Sequence, residues 1–340
     1  MSMVWIFLTV GGSSWGLTGF LRYYALKKKL IDIPNDRSSH TVPTPRGGGV
    51  SIVLVFLLSL VVMGLFGPVS NSFFWAVIGA GTGVALIGFI DDHGHIPARW
   101  RLAVHFVCAG WALAWLGGLP VLPLFGFSMD FGVVGYLLAA LYLVWLLNLY
   151  NFMDGIDGLA GMEAVTVCFG GGVLYALVPG EHGEWLTILW IFSAAVAGFL
   201  LWNFPKAKIF MGDAGSGFIG MMLGLFSLQA GWVAAELFWG WVILLGAFVV
   251  DATVTLVRRV LGGESFHEAH RCHAYQNASR KYNGHMPVTL GVSLINLCWL
   301  LPVAVLVVIG WLDGFLGVII AYSPLVFLSV HFKAGKQSFT

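Results

Sequence analysis

The chain of 340 residues is 59% hydrophobic and only 10% charged, with a mean hydropathy of +0.88. Soluble domains carry about 25% charged residues, so the composition excludes a water-soluble globular domain and places the chain in a bilayer. The net charge of +1 is silent on partners until its charges are placed, and no nucleic-acid partner is expected.

Taken in order, eleven stretches have the length of a membrane span, about 20 apolar residues. They are 3–22, 49–67, 72–90, 102–118, 131–150, 160–178, 185–203, 214–230, 232–257, 288–310 and 313–331. The first has no basic region before it and no small-residue cleavage site, so it is expected as a retained span and not a signal peptide. The link 119–130 carries Pro120, Pro123, Gly126 and alternating apolar residues, which suits a short hairpin. Gly231 is the main break between the eighth and ninth stretches. Of the four cysteines, Cys108, Cys168 and Cys298 lie in apolar runs and Cys272 in a polar loop, with no zinc or disulfide spacing.

With eleven spans, all 17 Lys and Arg fall on one side, in 22–46, 91–101, 203–213, 258–287 and the C-terminal tail. The positive-inside rule then puts that face in the cytoplasm and the N-terminus outside. Ten or twelve spans would scatter the basic residues. The expectation is an all-α polytopic membrane protein, one helical domain over 1–340, with cytoplasmic loops at about 23–48, 91–101, 151–160, 204–213 and 258–287. Nothing in the sequence specifies an oligomeric state.

The polar clusters gather on that same face. NLYNFMDGIDGLAG (148–161) sets Asn148, Asn151, Asp154 and Asp157 at three-residue intervals at the end of an apolar run, where such groups are costly to desolvate. Gly155 and Gly158 let the backbone turn out of the helix. Asp91 and Asp92 close the third stretch, and adjacent carboxylates call for a cation or a shared proton; Arg99 and Arg101 follow. Asp213 sits in a glycine-rich turn opening the eighth stretch, where free N–H groups favour an anion. That turn lacks the GK[ST] ending of a P-loop. Arg46 and Gly47 to Gly49 form a second possible anion cradle. The 258–287 loop carries His267, His270, His273 and His285 with Arg271, Arg280 and Lys281, and these histidines suit phosphate contacts better than zinc. Oxygen donors beside basic groups suit Mg²⁺, with Mn²⁺ as the alternative ion. Together they point to metal-dependent phosphoryl transfer between a soluble diphosphate and an acceptor held in the lipid bilayer. The rival is an ion-coupled membrane transporter with Asp251 as a relay, although transporter sites lie near the midplane.

Five blocks, DIPNDRSSH…PTPRGGG (32–49), FIDDHGHIPARWRL (89–102), NLYNFMDGIDGLAG, FMGDAGSG (210–217) and AHRCHAYQ (269–276), resemble in content and order the polyprenyl-phosphate N-acetylhexosamine-1-phosphate transferase superfamily. The nearest likeness is to its WbpL-like branch, which initiates O-antigen chains. The resemblance implies transfer of a sugar 1-phosphate from a UDP-N-acetylhexosamine to undecaprenyl phosphate, releasing UMP, with Mg²⁺ neutralising the diphosphate. It implies Asp213 as metal ligand with Asn151 as companion, and Asp91 and Asp92 as base or metal-adjacent groups. It further implies Asp154 and Asp157 on the nucleotide side, with Asp157 toward uracil, Arg101 toward the lipid phosphate, and Arg271 and His273 toward the diphosphate. Arg46 and Gly47 would join the substrate contacts. His267 and His285 are expected as solvated loop residues. Tyr275 and Gln276 stand where relatives carry further histidines.

Overall fold

The computed structural model describes residues 3–34, 39, 41–67, 69–94, 96–264 and 271–336. In chain order its helices are α1 (Met3–Lys28), α2 (Val50–Phe66), α3 (Asn71–His93), α4 (Ala98–Leu116), α5 (Gly132–Met153), α6 (Leu159–Leu177) and α7 (Gly183–Asn203). They continue with α8 (Asp213–Val233), α9 (Ala235–Leu244), α10 (Gly246–Leu261), the short α11 (Ala274–Lys281), α12 (Met286–Ile295), α13 (Leu301–Val308) and α14 (Gly314–His331). Two small antiparallel pairs complete the described residues: β1 (Ile31–Asp32) with β2 (Thr44–Pro45), and β3 (Leu122–Leu124) with β4 (Phe127–Met129).

Helix stands at every one of the eleven expected stretches. Among the described residues, seven single helices and the continuous run Met286–Val308 (α12 with α13) are long and apolar enough to cross a membrane, and α9 with α10 makes a ninth span if that bent pair is one. At 17 residues α2 is shorter than that, and α4 begins with Arg99 and Arg101 in its first turn. The chain is an all-α polytopic membrane protein.

At the centre stands α8, buried along most of its length. In lipid, helices associate through close packing of small residues rather than a hydrophobic drive between them, and α8 does this on two sides. A Cβ on its Gly220 would lie 2.7 Å from the Leu146 carbonyl of α5, and a Cβ on Gly81 of α3 would lie 2.8 Å from the Phe218 ring. Phe56, Phe192 and Phe226 pack edge-on around the same helix with ring centroids 5.1 to 6.2 Å apart, the geometry that aromatic quadrupoles favour.

The expected hairpin is present. Phe125 and Gly126 both have positive φ, +52° and +82°, as a two-residue turn that follows strand twist requires. Asp313 accepts from the Phe125 N–H at 3.0 Å and from the Phe315 N–H at the head of α14, tying hairpin to helix. The eighth and ninth stretches part at extended Ala234, not at Gly231, which instead lets Pro120 and Phe238 approach. The ninth is bent by 63° between α9 and α10. In the tenth, α12 and α13 are joined by a π turn, Asn296–Leu300. Pro302 follows it, has no N–H for the Cys298 carbonyl and crowds it, which opens the preceding turn.

Candidate active site

Helix ends bring the acidic groups together. Asp91 and Asp92 close α3, Asp213 opens α8, and Arg101 lies in the first turn of α4. Arg46 Nη2 is 2.6 Å from Asp213 Oδ1 and 2.9 Å from Asp92 Oδ1. Arg101 Nη1 donates to Asp213 Oδ2 at 3.1 Å and pairs closely with Asp91. Asp91 and Asp213 thus share Arg101 as a partner. Gly88 makes this approach possible, since a Cβ there would sit 2.6 Å from the Ala214 nitrogen. Burial of Arg46 opposes its charge, but Asp213 and Asp92 outweigh that and hold the guanidinium above its ordinary pKa.

Both anion cradles expected from the sequence are filled by the chain itself. Asp92 Oδ1 accepts from the Asp213 N–H at 2.9 Å and its Oδ2 from the Ala214 N–H at 3.3 Å, so the start of α8 is capped by an internal carboxylate. Gly212, at φ +81°, leaves the room; a Cβ there would lie 2.6 Å from Asp92 Oδ2. In the other turn, the Gly48 and Gly49 N–H groups donate to the carbonyls of Phe210 and Met211 at 2.9 and 2.8 Å. Gly47 has φ +98° with open space where a Cβ would be. Its service is to the turn that presents Arg46.

At the end of α5, Asn151 Nδ2 donates to Ser216 Oγ at 3.1 Å, beside Asp213. Asn148 turns back to the Val144 carbonyl, a packing role. Asp154 follows α5 as a half-buried carboxyl that accepts no hydrogen bond among the described residues. Burial first, and the nearby Asp213 charge second, push it well above the ordinary carboxylate range, with Arg46 opposing. Asp157 is by contrast fully partnered. Its Oδ2 accepts from the Ala207 N–H at 3.0 Å, its Oδ1 lies 3.1 Å from His285 Nδ1, and its carbonyl accepts from Thr289 Oγ1 at 2.9 Å. His285 is therefore not a solvated loop residue: it is half-buried, reaches the Ser39 carbonyl as well, and joins the 151–160 loop to α12. Burial works against its charge, but the hydrogen bond and charge of Asp157 raise its pKa above the ordinary imidazole value.

A third carboxylate arrangement holds the loop before α11. Asp251 of α10 accepts from the Ala274 and Tyr275 N–H groups, each at 2.9 Å, and from Thr255 Oγ1 at 3.1 Å. This is helix capping by a residue distant in sequence, and it removes Asp251 from the relay role. Buried His273 lies at the same helix start, its Nδ1 3.4 Å from Asp251 Oδ1, and its backbone N–H donates to Gln276 Oε1. Tyr275 donates its hydroxyl to the Phe152 carbonyl at 2.9 Å, and Gly155 gives that hydroxyl room. Of the two residues standing where relatives have histidines, Tyr275 thus docks α11 onto the 148–161 segment, while Gln276 caps the start of α11. Arg271 extends exposed at the edge, while Arg280 donates to its carbonyl at 2.9 Å. His267 and His270 lie outside the described residues. Sequence reasoning passed over Glu163 and Asn296, which meet inside the bundle.

The donor set fits a hard divalent cation in part. Four carboxyl groups (Asp91, Asp92, Asp154 and Asp213) face two guanidiniums, and Asp154 has an oxygen pair without donors among the described residues. Among the described residues no three Asp, Glu, His or Cys side chains converge on one metal position. Mg²⁺ is commonly held by one or two carboxylates with substrate phosphates completing its shell, so oxygen donors of this kind suit it without forming a closed cage.

Comparison with known proteins agrees with the five blocks. The model of the family described as "Glycosyl transferase family 4" matches residues 74–231, which take in Asp91, Asp92, the 148–161 segment and Asp213. A Bacillus subtilis protein described as "Probable undecaprenyl-phosphate N-acetylglucosaminyl 1-phosphate transferase" is 25% identical over 85% of this chain and 81% of its own. A Mycobacterium leprae "Decaprenyl-phosphate N-acetylglucosaminephosphotransferase" is 29% identical over 84% and 79%. A Moorella thermoacetica "Phospho-N-acetylmuramoyl-pentapeptide-transferase" is 35% identical over 55% and 61%. The motif order, the helical architecture and the acidic cluster agree with that match, and over residues 74–231 the chain is similar to glycosyl transferase family 4.

Proposed function

We propose that the protein transfers an N-acetylhexosamine 1-phosphate from a UDP-sugar to undecaprenyl phosphate, releasing UMP and starting a lipid-linked surface polysaccharide such as O antigen. The carrying observation is the cluster of four carboxyl groups and two guanidiniums at the ends of α3, α5 and α8. With eleven spans every Lys and Arg falls on one side, which supports a plasma-membrane protein with this site facing the cytoplasm. Asp213, with Asn151 beside it and Asp154 within reach, would hold Mg²⁺ or Mn²⁺, which supplies charge neutralisation of the diphosphate.

The chain's own groups do the remainder. Arg101 receives the lipid phosphate, exchanging one of its carboxylate partners for a phosphate oxygen; its fork geometry suits either. Arg46 holds Asp213 and Asp92 in place, and Asp92 in turn fixes the first turn of α8. A phosphate monoester has its second pKa near about 6 and is largely a dianion at neutral pH, so Asp91 serves by orienting Arg101. Asp157, held by Ala207 and His285, sets the nucleotide side. Arg271 and His273 approach the diphosphate from the segment leading into α11.

Purified protein in detergent or nanodiscs should release UMP from UDP-N-acetylglucosamine or a related UDP-sugar only when undecaprenyl phosphate and Mg²⁺ are both present. UMP release independent of the lipid, or none with any sugar of a UDP-N-acetylhexosamine panel, would remove this reading.

A further inference from the structure

A carboxyl group lies inside the bundle, near the start of α6, with no cation against it. Glu163 is 1% exposed. Its Oε2 accepts from Asn296 Nδ2 at 2.6 Å, and the same Nδ2 lies 2.9 Å from Thr166 Oγ1. Thr166 directs its own proton to the carbonyls of Met162 and Glu163, so its oxygen is an acceptor for Asn296. Among the described residues, two buried oxygens of this group then have no donor: Glu163 Oε1 and Asn296 Oδ1. Among the described residues no Lys, Arg or His forms an ion pair with Glu163. The titratable groups facing it from neighbouring helices are Tyr150 of α5 and Tyr322 of α14, neither of which brings a positive charge.

An ionised carboxylate here would leave a buried oxygen without a donor among the described residues. A proton on Oε1 changes that count. A carboxylic acid and a primary amide form two parallel hydrogen bonds, here Nδ2–H to Oε2 and Oε1–H to Oδ1, and a single proton satisfies both orphaned oxygens. The site is also structurally singular, because Asn296 opens the π turn ahead of Pro302, and π turns recur where a helix is shaped for a task.

From this arrangement we infer that Glu163 and Asn296 form a neutral acid–amide clasp that fixes α12 against α6 and thereby positions Asp157. The clasp sits at one end of α12. At the other end Thr289 and His285 grip the Asp157 carbonyl and carboxylate. Glu163 is thus a positioning residue acting through a ten-residue helix, and its kinetic consequence rests on the transferase reading.

Two measurements test it. Infrared difference spectra between the wild type and Glu163→Gln at neutral pH should show the carbonyl stretch of a protonated carboxylic acid in the wild type only. A carboxylate signal in its place, or a Na⁺-dependent melting shift abolished by Glu163→Gln, would overturn the clasp whether or not the protein is a transferase. In UMP-release assays Glu163→Gln, which can make both hydrogen bonds, should keep its KM for the UDP-sugar within about two-fold of wild type. Glu163→Leu should raise that KM about ten-fold with a much smaller change in kcat and in the KM for undecaprenyl phosphate. Equal damage from Gln and Leu would refute the positioning role, and Gln alone decides it if the Leu variant does not fold.

Discussion

Two carboxylates at opposite sides of the 148–161 segment show how different the same chemical group becomes in different settings. Asp213 meets guanidiniums that are about a third exposed, Arg46 at 36% and Arg101 at 34%. Asp251 meets backbone N–H groups of Ala274 and Tyr275 and a threonine hydroxyl. Long side chains can exchange partners when a phosphate or a metal arrives, whereas backbone donors at a helix start cannot leave without unwinding it. Under the proposed function Asp213 belongs to the chemistry and Asp251 to the scaffold, although both are Asp residues in or beside apolar helices.

The comparison can be broken at either end. Asp213→Ala should lower transfer by about 10²–10³-fold, the scale of losing one preorganised electrostatic contact, with insertion and folding retained. Near-normal UMP release would move the chemistry elsewhere. Asp251→Ala should act on stability first. It strands two buried N–H groups at about 1–3 kcal/mol each, so a melting temperature well below wild type is expected, and an unchanged one would undo the capping assignment. Arg101→Lys keeps the charge but loses the fork; the KM for undecaprenyl phosphate should rise about ten-fold while the KM for the UDP-sugar stays near wild type. A rise confined to the UDP-sugar would reassign Arg101 to the nucleotide.

A smaller effect concerns the His285–Asp157 contact. Asp157 raises the folded-state pKa of His285 above an unfolded value near about 6.5. Its stabilisation, about 1–2 kcal/mol for a charge-assisted hydrogen bond, is thus complete below that pH and is lost as pH rises through the folded value. The melting-temperature gap between wild type and His285→Gln should narrow from mildly acidic to alkaline pH. A gap that widened would reverse the sign. Smallest is Arg271→Ala, whose exposed side chain should change the UDP-sugar KM a few-fold and the stability not at all.

Much of the site was legible because costly residues advertise themselves. Asp91, Asp92, Asn151, Asp154 and Asp213 stand at the ends of apolar runs, and in the fold they gather at one end of the bundle. The hairpin was equally readable from its Gly and Pro spacing. Partners distant in the chain were harder to read. A glycine-rich turn before a helix predicts an anion, but nothing local says that Asp92, 121 residues earlier, supplies it. Asp251 looked like a relay since its donors lie 23 and 24 residues away in a loop. His285 reads as loop until the packing of α12 brings it to Asp157. Glu163 hides inside an apolar stretch, and its partner Asn296 faces it only within this packing.

The most direct measurement is the Mg²⁺-dependent melting shift in the presence of UDP-N-acetylglucosamine, compared among the wild type, Asp213→Asn and Asp251→Asn. The wild type and Asp251→Asn, whatever their starting stabilities, should both be stabilised by the metal and nucleotide together, and Asp213→Asn should not respond. A shift preserved in Asp213→Asn and lost in Asp251→Asn would contradict the division of roles between the two carboxylates.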